Sequence, residues 1–189
     1  MLKTNKMLVF CVLFSSVVCI AGNSNILDKQ FDDLYGASPL LNLPVEYAYS
    51  VPYKSSLIDS VKFIRLPESL FPIFKLNDEI YEKDELYMAR LPEYKNIKFI
   101  IVKIGTTSGA DELFLFTIHN NKLIDNLGIY SAGETEYDGR TDATSLTSFT
   151  ITKDYDILVK NSIVPDMDKE VNVKRWTYII NKSGKFVKK

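Results

Sequence analysis

The chain has 189 residues, 46% of them hydrophobic and 12% aromatic, with 23 basic against 24 acidic side chains and a net charge of −1. That balance, with both signs scattered along the sequence, leaves no basic stripe to follow a phosphate backbone, so nucleic-acid recognition is not expected. One histidine and two cysteines rule out a zinc site built from several imidazoles of one chain and leave little thiolate chemistry.

The first residues give an address. "MLKTNK" places Lys3 and Lys6 ahead of "MLVFCVLFSSVVCIA", an apolar run soon ended by polar "GNSNILDKQ". The run is short for a membrane span and has the layout of a secretory signal, residues 1–22, cut near Gly22 or Asn23. Two other outcomes stay open. Cys19 is placed where a lipid-accepting cysteine of an envelope lipoprotein would be, although Val18 before it is bulkier than that machinery prefers, and the signal can also be retained as an anchor. Membrane attachment is expected only by one of these two routes. Cleavage removes both cysteines, Cys11 and Cys19, and leaves 21 basic against 24 acidic residues. No disulfide or cysteine ligand then remains, which suits a periplasmic or secreted protein of a bacterial envelope. Residues 23–189 are long enough to bury about 70% of their unfolded surface as one domain.

A helix opens this domain. In "SNILDKQFDDLYG", Leu27, Phe31, Leu34 and Tyr35 recur at helical spacing on one face, with Asn23, Ser24 or Asn25 as cap and Gly36 as stop. Pro39, Pro44 and Pro52 then forbid a helix, while Val45, Tyr47, Tyr49, Val51 and Tyr53 alternate onto one side of an extended segment. From there the chain reads as strands and turns. Leu86–Leu91 and Ile97–Ile104 flank the loop "PEYKN", and Ile100, Ile101 and Val102 make the second run apolar on both faces, as in a central strand. Asn120 and Asn121 favour a two-residue turn pairing Leu113–His119 with Lys122–Tyr130.

A phrase recurs about every 30 residues: Phe116-Thr117-Ile118, Phe149-Thr150-Ile151 and Tyr178-Ile179-Ile180, the last two before polar turns at Asp154 and Ser183-Gly184. A propeller needs about 40 to 45 residues per blade and would run out of chain here. The expected fold is mostly β: an antiparallel meander, curved or partly closed, with one N-terminal helix packed on it. The hairpins "HNNKLIDNL", "TITKDYDI" and "INKSGKFVKK", with the leader and "LNLPVEY", resemble small exported bacterial proteins of unassigned activity. The resemblance implies a β-hairpin fold and an envelope location and brings no functional residue with it.

Chemistry concentrates in "GETEYDGRTD". With Glu134 as the first position of a calcium loop, Glu136, Asp138, Gly139 and Asp142 fall on further loop positions, yet the twelfth, which wants a bidentate glutamate, is Ser145. The competing reading is a solvated connection between strands. A second acidic run, Asp166, Asp168 and Glu170, follows Pro165 and lacks a glycine; together the loops 134–142 and 166–170 would bind Ca²⁺ if they met. No other cofactor is expected. His119 sits beside the Asn-Asn turn as an exposed ring, and Ser108 in "TTSGAD" lacks a nucleophile elbow. Tyr47, Tyr49 and Tyr53 form an aromatic stripe, and Trp176 stands beside Lys174 and Arg175; each is a candidate binding surface, against the alternative of packing on the sheet. The function that follows is an exported, non-catalytic binding protein, a protein-interaction, inhibitor or immunity module with an envelope protein as partner. The alternative is a calcium-assisted glycan or small-ligand binder.

Overall fold

The computed structural model describes residues 26–47, 62–75, 85–105, 111–165 and 169–189. The leader, Cys11, Cys19, Tyr49, Tyr53, Ser108, Asp166 and Asp168 lie outside the described residues. Helix α1 covers 26–37, and the rest belongs to a second compact unit, Ser38–Lys189. Along α1 the face expected to be apolar is the sheltered one: Phe31 and Tyr35 are buried and their rings stack 6.1 Å apart. The helix runs one residue past Gly36.

Among the described residues the second unit has ten strands: β1 (Val45–Tyr47), β2 (Ile64–Arg65), β3 (Glu85–Tyr94), β4 (Ile97–Gly105), β5 (Asp111–His119), β6 (Lys122–Tyr137), β7 (Arg140–Ile151), β8 (Ile157–Val164), β9 (Val171–Ile180) and β10 (Phe186–Lys188). They follow one another in a single antiparallel sheet from β2 to β10, with β1 added on β7. The meander is therefore as expected, but the sheet stays open and does not close into a barrel. The long strand β6 turns the corner. Its Lys122–Tyr130 stretch pairs with β5 and its Ser131–Tyr137 stretch with β7. Where β6 has left the β7 edge, β1 takes its place, with Val45 opposite Ile151 and Tyr47 opposite Phe149.

The corner lets the two halves of the sheet enclose one core. Ala89, Leu91, Phe99, Ile101, Leu113 and Leu115 from the first half join Phe149, Ile151, Ile157 and Val159 from the second. Each fully buried aliphatic or aromatic side chain contributes about 1.5–3 kcal/mol, which is why period-two alternation was decisive in these strands. β4 is apolar on both faces because it lies between β3 and β5 and both its faces are covered. On the second face Leu86, Met88, Ile100, Val102 and Phe116 are buried, as are Leu66, Leu70 and Phe74 of a short helical segment. That segment is a 3-10 turn, Glu68–Leu70, running into α2, Phe71–Phe74, with Pro72 in the first turn where its missing N–H costs nothing. Phe74 meets the Phe116 ring edge-on at 5.2 Å.

Two sequence expectations need correction. "PEYKN" is not a five-residue loop: β3 continues to Tyr94 and only Lys95-Asn96 turn. Pro92 is accommodated because a bulge between Leu91 and Tyr94 interrupts the ladder there, so no amide is missed. "GETEYDGRTD" is not a connecting loop either, but strand, turn and strand, with Asp138-Gly139 as the turn and a bulge that leaves Glu136, Thr141 and Asp142 out of register.

Candidate binding surface

In an antiparallel meander alternate turns lie at the same end of the sheet, and four of them gather here. Lys95-Asn96 joins β3 to β4 and Asn120-Asn121 joins β5 to β6; all four residues have positive φ, which makes each a two-residue turn matched to strand twist. The turns are tied together. His119 Nδ1 lies 3.0 Å from the Asn96 carbonyl, and Lys98 Nζ donates to Asn121 Oδ1 at 3.1 Å.

The other two turns share one design. In residues 152–156 the Thr152 N–H donates to the Asp156 carbonyl (3.0 Å), Tyr155 N–H to the Thr152 carbonyl (3.1 Å), and Asp156 N–H to Thr152 Oγ1 (3.1 Å). In residues 181–185 Asn181 N–H donates to the Lys185 carbonyl (3.0 Å), Gly184 N–H to the Asn181 carbonyl (3.1 Å), and Lys185 N–H to Asn181 Oδ1 (3.0 Å). Two of the three recurring phrases, Phe149-Thr150-Ile151 and Tyr178-Ile179-Ile180, thus lead into a recurring turn. Its fourth residue is left-handed in both, Tyr155 at φ 64° and Gly184 at φ 84°.

Each of the four turns presents an exposed lysine in it or next to it: Lys95, Lys122, Lys153 and Lys182, with Lys185 beside the last. The exposed acids among them are Glu93 and Asp154. Lys95 also rests 4.4 Å over the Tyr94 ring, which is stacked 5.0 Å from Tyr155. At the opposite end Glu85, Glu134, Glu136 and Asp138 are exposed together with Arg65 and Lys169, and Glu170 pairs with Lys160 at 2.7 Å. Residues 171–189 alone contain Lys174, Arg175, Lys182, Lys185, Lys188 and Lys189 and no acid.

Glu134 and Glu136 sit two apart on β6, Asp138 is in the turn at φ 51°, and Asp142 belongs to β7 in the stretch opposite Glu136. Among the described residues no three His, Cys, Asp or Glu side chains gather in a way that would hold a metal ion. The aromatic candidates separate. Tyr47 is part-buried and lies edge-on to Tyr130 at 4.2 Å. Trp176 packs against the core with Tyr178 and Phe186, and Lys188 Nζ stands 5.3 Å from its ring. The lysine-bearing end escaped sequence reading, although every turn phrase carried its signal: "YKN", "NNK", "TKD" and "NKSGK".

Among the described residues no helix is long and apolar enough to cross a membrane. No family model matches the chain, and no curated protein or solved structure matches it significantly.

Proposed function

We propose that the chain is an exported, non-catalytic binding protein of the bacterial cell envelope, an interaction, inhibitor or immunity module that engages a protein partner through its lysine-bearing end. The observation that carries this reading is the convergence of four turns, each with an exposed lysine, on one end of a rigid sheet. Turns held by ladders and side-chain bonds present charge at fixed spacing at little further ordering cost, which favours recognition over diffuse attraction. The leader and the hairpin resemblance support the location. The one imidazole, held against the Asn96 carbonyl, supports a structural part for His119 over a catalytic one.

The test is affinity capture of the protein, leader intact, from envelope extract, followed by mass spectrometry of the complex and of its own N-terminus. A stoichiometric protein companion that disappears with Lys95→Gln, Lys122→Gln, Lys153→Gln and Lys182→Gln combined is the predicted result. Retention on glycans that a chelator releases, with no protein companion, would replace this reading with the calcium-assisted one.

A further inference from the structure

The partner's chemistry can be read one step further from the surface that adjoins the turns. Among the described residues four large hydrophobic side chains are exposed: Ile26, Leu40, Leu158 and Val187. Leu158, 44% exposed, and Val187, 42% exposed, lie on one sheet face, on the two strands that flank β9. Leu158 opposes Thr177, and Val187 opposes Ile179, two residues further along β9. By strand alternation this is the face turned away from the core, since Val159, Trp176, Tyr178 and Phe186 pack inward. The same alternation puts Arg175, Lys185 and Lys189 on the outer face, all exposed, around the apolar centre.

We propose that this outer face of β8, β9 and β10, together with the lysines of the adjoining turns, docks an acidic polypeptide segment with interspersed apolar residues. The inference rests on the protein-binding reading above and specifies its partner. Charge complementarity selects the acid: on this face β9, β10 and their turn present Arg175, Lys182, Lys185 and Lys189 and no anion, while Lys160 of β8 is already paired with Glu170.

Two other occupants fit less well. A strand added to the β10 edge would need that edge free, but Phe186 N–H already donates to Asp125 Oδ2 at 3.0 Å. A lipid surface would want aromatic residues at the contact, and Trp176, Tyr178 and Phe186 turn inward instead.

The test is fluorescence anisotropy of the protein purified from the envelope, titrated into a short labelled peptide alternating Glu and Leu. Controls are a Lys-Leu peptide and vesicles containing phosphatidylglycerol. Saturable binding to the Glu-Leu peptide, weakened about tenfold or more by added salt, is predicted. Leu158→Ser with Val187→Ser weakens it about tenfold with unchanged salt dependence, and Lys153→Gln, Lys182→Gln and Lys185→Gln weaken it and flatten that dependence. Circular dichroism confirms that each variant is folded. No binding at low salt, equal binding by the folded variants, or tighter binding to vesicles than to the peptide would each overturn the proposal. A stoichiometric captured partner indifferent to these substitutions would overturn it while leaving the protein-binding reading intact, and the absence of any partner would overturn both.

Discussion

Tyr155 and Gly184 hold the same place, the left-handed fourth residue, in two turns of like hydrogen bonding, and each is fixed there by what lies beneath it. Tyr155 reaches the core: its ring lies 4.6 Å from that of Phe99 and 5.0 Å from that of Tyr94, and its hydroxyl donates to the Pro92 carbonyl. Gly184 has no such room, since a Cβ there would stand 2.6 Å from Ile124 Cδ1 and 3.0 Å from Ile97 Cδ1. The two turns therefore clamp the second half of the sheet onto the first, one with a side chain and one by lacking it.

Tyr155→Phe removes one hydrogen bond to a part-buried carbonyl and costs about 1 kcal/mol. Tyr155→Gly relieves the left-handed backbone yet loses the ring, for a net cost of about 2–4 kcal/mol. Gly184→Ala combines backbone strain with overpacking and costs roughly 1–3 kcal/mol. Urea midpoints of the three variants check the order.

A side-chain staple holds the terminal strand. Asp125 accepts from Phe186 N–H at 3.0 Å with one carboxylate oxygen and from Asn126 N–H at 3.0 Å with the other. Asp125→Ala leaves an orphaned amide and costs about 1.5–3 kcal/mol, whereas Asp125→Asn keeps an acceptor and costs less. Hydrogen exchange reads this locally: protection of β9 and β10 falls first in the alanine variant, and β4 is unaffected.

Phe74 tests the second face of the sheet. It is fully buried and meets Phe116 edge-on, so Phe74→Ala costs about 3–5 kcal/mol although α2 has only four residues. Thermal melting of this variant beside Phe186→Ala, a part-buried site, gives the comparison.

Alkaline titration tests a surface contact. The Tyr87 phenol donates to the Glu85 carboxylate, and this bond, then burial and the Glu85 charge, raise its pKa above 10.0. A raised folded-state pKa means that the contribution is complete below pH 10 and is lost as pH rises through the folded value. Glu85→Gln lets Tyr87 ionise at lower pH, as read by phenolate absorbance, and makes stability less sensitive to pH above 10.

Much of this was legible in the residues. Alternation marked the strands, Asn120-Asn121 marked its turn because asparagine tolerates positive φ, and Ile100-Ile101-Val102 marked the middle of the sheet. What stayed hidden had local signals that pointed elsewhere. Pro92 spoke against a strand and was absorbed by a bulge. The acids of "GETEYDGRTD" drew notice to metal chemistry, while Thr135 and Tyr137, alternating with them, were writing a strand. The helical segment Glu68–Phe74 is too short for any periodicity to show. The lysine-bearing end depends on which turns share an end, a property of the meander that no one phrase contains.

The central claim is that the lysines of these four turns recognise a protein without holding up the fold. The direct measurement is parallel capture from envelope extract with the wild type and with the variant in which Lys95, Lys122, Lys153 and Lys182 are glutamine, after showing equal urea midpoints. Surface substitutions of this kind change stability by about 0.5 kcal/mol or less each. Loss of a stoichiometric companion from the variant alone is the predicted result; a companion retained equally by both would contradict it.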